Sequence, residues 1–150
     1  MASLLEHKPS VKTSDREFPI PGKRKVPLVI IVDDDKTILR SLNIALSGRY
    51  MVHTCDRPVT SVSDVHKYKP DLILLDIRMP ERDGFWVFSE IKKFNPDVPI
   101  IFNSAYQDRL DNKDVEGVYK PFAYLPKSGR LDDIIDTFER AIESIDWRPG

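Results

Sequence analysis

Short apolar runs alternate with helical patterns along most of this chain. The runs at 28–32 and 72–75 are wholly apolar, which is typical of strands that are buried on both faces of a sheet. Apolar residues recur at helical spacing after the first run, over about 35–46, and again over 131–145. Because parallel neighbours need crossover connections, this alternation predicts an α/β fold with one parallel sheet covered on both faces.

The individual elements can be assigned from the same patterns. Strands are predicted at 28–32, 50–55, 71–75 and 98–103, with a short fifth strand at 117–119. Helices are predicted at about 35–46, 59–68, 85–94 and 131–145.

Composition limits the chain to one core. With 150 residues and 41% hydrophobic content we expect one domain, and a net charge of -1 gives no reason to expect nucleic acid or a membrane surface as partner. The single cysteine, Cys55, excludes an intrachain disulfide and fits a reducing compartment. No apolar run reaches the roughly 18 residues that span a bilayer, so we expect a cytoplasmic protein.

The first 27 residues differ from the rest of the chain. They carry prolines at four positions and six basic residues against three acidic ones, which predicts a flexible, Pro-rich basic tail. The domain is then expected to cover 28–147. No further domain is expected after it.

Polar side chains follow the predicted strands. Asp33 and Asp34 follow the first strand, Asp76 the third, and Ser104 the fourth, while Lys120 follows the short fifth strand. In parallel sheets, ligands bind beyond the carboxyl ends of the strands, so these side chains should meet at one edge. Carboxylates, a hydroxyl and a lysine in one place indicate phosphoryl chemistry with a divalent metal.

The chemistry assigns a role to each group. A carboxylate that attacks phosphorus needs cations directed at the phosphoryl oxygens rather than a general base. We predict Asp76 as the nucleophile, with Asp34 and Asp76 as direct Mg²⁺ ligands and Asp33 acting mainly through water. Lys120 supplies a positive charge to one phosphoryl oxygen, and the Ser104 hydroxyl donates to another. The rival interpretation is that the acidic run at 33–35 only caps a helix.

From about 28 to 145 the chain resembles the receiver domain of a two-component response regulator. The resemblance is carried by Val32-Asp33-Asp34, the segment 71–80 with Asp83-Gly84, Ser104-Ala105, and Lys120-Pro121-Phe122. It implies a flavodoxin-like, doubly wound five-stranded sheet in the order 2-1-3-4-5, similar to the chemotaxis regulator. It further implies that Asp76 accepts a phosphoryl group from a histidine kinase or phosphotransfer protein. The backbone carbonyl of Arg78 is implied as a metal ligand, and the protein is expected to be a phosphoacceptor rather than an enzyme.

Two alternatives remain open. Asp33-x-Asp35-x-Thr37 after a strand matches the nucleophile motif of haloacid-dehalogenase-like phosphatases, which would make Asp33 the nucleophile. That interpretation leaves Asp76 unexplained. The other alternative is a degenerate receiver that acts only as a binding module.

The chain also departs from the family pattern between Ser104 and Lys120. Only 16 positions separate them, so we predict that the fourth helix is shortened or replaced by a loop. Gly117 lies three residues before Lys120, where the family often has an aromatic switch residue, and Tyr106 or Tyr119 could substitute for it.

Two side chains are predicted to control access to the phosphoryl group. Arg78 and Tyr106, each two positions after a site residue, should flank the route of the hydrolytic water and make the aspartyl phosphate long-lived. His7, His53 and His66 lack metal-ligand spacing, and we assign them no role.

Overall fold

The computed structural model describes residues 18–105 and 119–150, which form one five-stranded parallel sheet with helices on both faces. The strands are β1 (Leu28–Val32), β2 (Met51–Cys55), β3 (Leu72–Asp76), β4 (Ile100–Ser104) and β5 (Ala123–Pro126). The described helices are α1 (Lys36–Leu46), α2 (Pro58–Tyr68), α3 (Gly84–Phe94) and α4 (Leu131–Ser144). The spatial order is β2-β1-β3-β4-β5, which confirms the flavodoxin-like fold expected from the sequence.

One predicted strand is wrong. The fifth strand was expected at 117–119, but the structure forms it at Ala123–Pro126, where Ala123 pairs with Ile101 and Pro126 with Ser104. Pro126 has no N–H to donate, which an edge strand tolerates at its last residue. The predicted shortening of the fourth helix falls on 106–118, outside the described residues.

The two faces of the sheet bury two apolar layers. Ile30 and Val32 of β1 point to the layer that packs against α2 and α3. Val29 and Ile31 point to the other side, where α1 and α4 cover them. This alternation follows from the two-residue period of a strand, and it explains why a strand covered on both faces is apolar at every position.

The segment at 18–27 does not match the predicted flexible tail, because it packs on the domain. Arg24 is only 1% exposed. Its guanidinium donates to the carbonyls of Tyr68 and Lys69 and forms an ion pair of 3.1 Å with Asp71. The last carbonyls of a helix lack intrahelical partners, so the end of α2 offers acceptors that an arginine can satisfy. The prolines that suggested a tail do not prevent this docking.

No helix within 18–105 or 119–150 is long and apolar enough to cross a bilayer.

Candidate phosphoacceptor site

The carboxyl edge of the sheet brings together two buried carboxylates and one lysine. Asp33 follows β1 and Asp76 ends β3, and each is only 2% exposed. The Nζ of Lys127 lies 3.0 Å from Asp33 Oδ2 and 3.1 Å from Asp76 Oδ1. Lys127 is therefore paired with both carboxylates. Each carboxylate oxygen has two lone pairs, so one ammonium contact leaves capacity for a further cation or donor.

The three consecutive acids after β1 have separate roles in the fold. Asp35 is the N-cap of α1, since its side chain accepts hydrogen bonds from the backbone N–H groups of Thr37 and Ile38. Asp33 accepts from the N–H of Asp35 through Oδ1, which leaves its Oδ2 directed at Lys127. Asp34 is exposed and lies in the same acidic cluster as Asp33 and Asp76. Capping thus explains Asp35 but not the other two acids.

The lysine of the site is Lys127, so the prediction of Lys120 is wrong. Lys127 directly follows β5, and its backbone N–H donates to the carbonyl of Ser104 at 2.9 Å. Lys120 precedes β5 and is exposed. In a parallel sheet the strands begin at one edge and end at the other, and β5 alone separates these edges by about 10 Å. Lys120 therefore lies on the side where strands begin, away from the acids.

This correction also removes the reason for expecting a shortened crossover. Lys127 lies 23 positions after Ser104, rather than the 16 counted to Lys120. The residue three positions before the lysine is now Tyr124 instead of Gly117. The ring of Tyr124 stacks on Phe102 with centroids 5.4 Å apart. The position at which the family often carries an aromatic switch residue is therefore aromatic in this chain.

The end of β4 contributes two buried polar side chains. Ser104 is fully buried, and its Oγ has no hydrogen-bond partner within the described residues. Asn103 lies opposite Asp76 in the β3–β4 register and is also buried. Its Oδ1 likewise has no hydrogen-bond partner within the described residues. Sequence reasoning missed Asn103, although an amide at the end of an apolar run was a visible signal. Buried polar atoms normally have partners, so a water, a ligand or a residue outside the described part of the chain must satisfy these two.

The loops around Asp76 are held by a close backbone approach. Asp83 caps α3 by accepting from the N–H of Trp86, and the N–H of Gly84 donates to the carbonyl of Ile77 at 2.7 Å. A Cβ at Gly84 would overlap the carbonyl oxygen of Asp76, so only glycine fits there.

The two predicted access residues are placed only in part. Arg78 follows β3 by two positions and is exposed. Tyr106 lies outside the described residues, as does Gly117.

Burial sets the protonation of the site. Desolvation, and then the charge of Asp33, raise the pKa of Asp76 to about 7, although Lys127 opposes the shift. Burial alone would lower the pKa of Lys127, but its contacts with Asp33 and Asp76 outweigh burial and raise it. Lys127 therefore stays charged. Ionising Asp76 beside Asp33 costs free energy unless another cation enters the site.

We expect Asp76→Asn to stabilise the metal-free protein at high pH. The folded-state pKa of Asp76 is about 7, above its ordinary 3.8, so the folded protein binds a proton that the unfolded chain releases. The free energy of unfolding therefore decreases as the pH rises from the ordinary pKa of Asp76 to its folded-state pKa. At about pH 8 the variant should gain on the order of 2–4 kcal/mol in free energy of unfolding, at about 1.4 kcal/mol per unit of pKa shift.

Urea denaturation in EDTA at about pH 5 and about pH 8 measures this gain. The exposed Glu143→Gln is the matched control and should show no such pH-dependent gain. A gain for Asp76→Asn of the same size at both pH values would contradict the prediction.

The donor set suits a hard divalent cation. One carboxylate oxygen from each of Asp33, Asp34 and Asp76 lies within 4.8 Å of the others. Magnesium prefers oxygen ligands and usually binds one or two carboxylates while retaining waters. The lone pairs that Lys127 does not use on Asp33 and Asp76 are consistent with such an ion, and the exposed Asp34 leaves an entry route.

This fold, with buried acids and a lysine at the carboxyl edge of the sheet, defines a phosphoacceptor signalling domain. The chain belongs to the response regulator receiver domain family, whose family model matches residues 29–139. The family membership excludes the haloacid-dehalogenase-like alternative.

Characterised relatives are longer proteins. The chain is 36% identical over 116 residues to the DNA-binding transcriptional regulator NtrC of Escherichia coli K12, covering 77% of this chain and 24% of that protein. It is 37% identical over 101 residues to the transcriptional regulatory protein KdpE of Staphylococcus aureus NCTC 8325, covering 63% of this chain and 43% of that protein. The chain thus spans about a quarter of NtrC and less than half of KdpE.

Solved structures share the fold. A CheY-like receiver domain from Methanospirillum hungatei JF-1 superposes with a TM-score of 0.74 at 22% identity, covering 79% of this chain and 95% of that one. A receiver domain from Clostridium thermocellum superposes with a TM-score of 0.73 at 23% identity, covering 81% of this chain and 98% of that one. These similarities support the sheet order and the helix packing described above.

Proposed function

We propose that this domain accepts a phosphoryl group on Asp76 from a histidine kinase or phosphotransfer protein and signals through protein contacts. The observation that carries the proposal is the buried carboxylate of Asp76 beside the ammonium of Lys127, at 3.1 Å, within a cluster of three acids. A carboxylate in this position can attack phosphorus once its charge is balanced. The side chains needed for the reaction are present, which disfavours the degenerate receiver.

Each residue has a defined task in the proposed reaction. Asp76 Oδ attacks the phosphorus of the phosphohistidine, and the P–N bond breaks as the new P–O bond forms. Lys127 binds a phosphoryl oxygen, and in doing so it exchanges its contacts with Asp33 and Asp76 for the new anion. Ser104 Oγ, which is buried and lacks a partner in the described part of the chain, donates to another oxygen. These contacts stabilise charge that is greatest in the transition state.

The metal belongs to the same proposal. Asp34 and Asp76 would hold Mg²⁺ directly, Asp33 mainly through water, and the carbonyl of Arg78 would complete the protein ligands. When bound, the ion neutralises the phosphoryl oxygens and favours the ionised form of Asp76. Arg78 and Tyr106 remain the proposed residues that shield the aspartyl phosphate from water.

A groove beside Lys127 offers a docking place for the phosphodonor protein. It has a volume of about 320 Å³ between α1 and the start of α4, and apolar side chains line much of it, including Leu42, Ala45 and Leu131. Asn103 and Lys127 are also among its lining residues. A histidine-bearing helix packed here would bring its imidazole next to the acids, so we propose that the donor binds at this face.

Phosphorylation by a small phosphodonor tests the proposal. The intact chain with phosphoramidate and Mg²⁺ should gain one phosphoryl group by mass spectrometry, and Asp76→Asn should gain none. EDTA should suppress the reaction in the wild type.

Asp33→Asn is the matched variant for the competing nucleophile. It should phosphorylate more slowly but still on Asp76, which peptide mapping after borohydride trapping would locate. Label on Asp33, or undiminished labelling of Asp76→Asn, would contradict the proposed function.

A further inference from the structure

A second cluster of ligand atoms lies on β2, an edge strand of the sheet, and on the helix α2 that packs against it. His53 and Cys55 are two positions apart on β2, so both side chains point to the same face of the sheet. Asp64 reaches them from α2, which packs over that face. One ligand atom from each of the three residues lies within 4.8 Å of the other two.

The contacts within this cluster converge on one oxygen. His53 Nε2 lies 2.8 Å from Asp64 Oδ2, and the thiol of Cys55 donates to the same Oδ2 at 3.0 Å. Two protons, one from nitrogen and one from sulfur, thus occupy the space between three metal-binding atoms. A divalent cation at this point would take the place of both.

The donor set selects the kind of metal. Imidazole nitrogen, thiolate sulfur and one carboxylate oxygen suit zinc, whereas magnesium and calcium prefer oxygen alone. Zinc bonds of about 2.0–2.3 Å in a tetrahedron place ligand atoms roughly 3.3–3.6 Å apart. The two contacts of Asp64 Oδ2, at 2.8 Å and 3.0 Å, are shorter than this by about 0.6 Å, and the His53 and Cys55 ligand atoms lie within 4.8 Å of each other.

The surroundings permit an ion to enter and be held. Cys55 is buried, while the side chains of His53 and Asp64 are 17% and 22% exposed, so the cluster opens to solvent on one side. The ring of His53 is fixed by Phe18 and Tyr68, with centroids 5.6 Å and 4.9 Å away. This packing orients the imidazole before any metal binds, which lowers the cost of assembling the site.

A redox or nucleophilic role for the cysteine is disfavoured. Burial, and then the hydrogen bond to Asp64, raise the pKa of the Cys55 thiol well above its usual range. Reactive cysteines have a lowered pKa and positive surroundings, and this one has an acidic neighbour.

We propose that His53, Cys55 and Asp64 form a zinc site that is separate from the phosphoacceptor pocket and independent of the proposed function. As the metal–sulfur and metal–nitrogen bonds form, the thiol proton leaves to water and a proton on His53 Nε2 is exchanged through water for one on Nδ1, and a water molecule or another ligand completes the fourth position. The backbone carbonyl of Cys55 accepts from the N–H of Asp33, so the site lies one strand away from the acids.

Cobalt titration of the intact, reduced chain tests this site, because Co²⁺ reports thiolate ligation by a charge-transfer band and zinc does not absorb. Excess Mg²⁺ is included to occupy the acidic pocket. We expect a charge-transfer band that saturates at one equivalent and disappears when Zn²⁺ is added. Asp76→Asn, which leaves the cluster intact, should give the same band.

Two variants then identify the ligands. Cys55→Ser retains a hydroxyl that can donate to Asp64 and should abolish the charge-transfer band. His53→Phe retains the ring contacts with Phe18 and Tyr68 and should weaken binding at least about tenfold, since even outer-shell losses cost roughly 10- to 100-fold. Far-UV circular dichroism checks that both variants are folded.

Three results would overturn the proposal. The first is a wild-type titration without a charge-transfer band. The second is a band that survives in folded Cys55→Ser, and the third is a His53→Phe variant that binds as tightly as the wild type.

Discussion

Replacing Lys127 by Met should slow the phosphorylation of Asp76 by a small phosphodonor roughly 100- to 1,000-fold, the usual cost of losing one preorganised donor to a developing anion. The ammonium lies 3.1 Å from Asp76 Oδ1 and 3.0 Å from Asp33 Oδ2. Methionine keeps the length of the stem and removes the charge. Because the substitution also leaves Asp33 and Asp76 without their cation, far-UV circular dichroism must first show that the variant is folded, and the loss is then measured in the chemical step.

Lys120→Met is the matched control, since it removes the same charge from the lysine on the opposite edge of the sheet. It should leave the rate within about twofold of the wild type, as expected for an exposed residue outside the site. The rates are compared under single-turnover conditions with phosphoramidate and saturating Mg²⁺, so that metal affinity does not set the difference. A slow Lys120→Met protein with a fast Lys127→Met protein would reverse our assignment.

The sequence was most informative where local pattern and chemistry coincide. β1 and β3 are apolar at nearly every position because both faces of a central parallel strand are covered, and a charged residue marks the point where each strand leaves the core. Asp33 and Asp76 could therefore be placed at one edge from the strand pattern alone. The order of the strands needed the family resemblance, since periodicity does not specify neighbours.

The lysine could not be placed in the same way. Lys120-Pro121-Phe122 looks like the expected motif, whereas Lys127 is preceded by proline and followed by Ser128. The choice depends on whether the lysine comes before or after β5, a strand of four residues with a weak apolar pattern. Locating that strand at Ala123–Pro126 requires its pairing with β4, which is a tertiary contact.

The same limit applies to the cluster on β2 and to the segment before β1. His53, Cys55 and Asp64 have no known ligand spacing in the sequence, and they meet only because α2 packs over the edge strand. Arg24 looked like one of several basic residues in a tail. Its contribution to stability depends on hydrogen-bond acceptors some 45 positions further along the chain, which no local pattern reveals.

Arg24→Met should lower the free energy of unfolding by about 3–5 kcal/mol, the usual cost of removing one partner from a buried ion pair. Arg24 is 1% exposed, and Asp71, its ion-pair partner, is 13% exposed on its side chain. Methionine fills much of the same volume but cannot donate to Asp71 or to the carbonyls of Tyr68 and Lys69 at the end of α2. These partly buried acceptors would lose their donor, so the penalty is desolvation rather than lost packing.

Urea denaturation measures the effect against Lys23→Met, which removes a charge from the neighbouring exposed residue and should change stability by less than about 0.5 kcal/mol. Asp71→Asn in the Arg24→Met background should recover part of the loss, because a neutral amide is cheaper to bury than an unpaired carboxylate. Asp71 also accepts from the N–H of Leu28 at 2.9 Å, an interaction that asparagine can retain through its carbonyl oxygen. Equal midpoints for Arg24→Met and Lys23→Met would mean that the segment before β1 contributes little, and that the guanidinium is easily replaced by water.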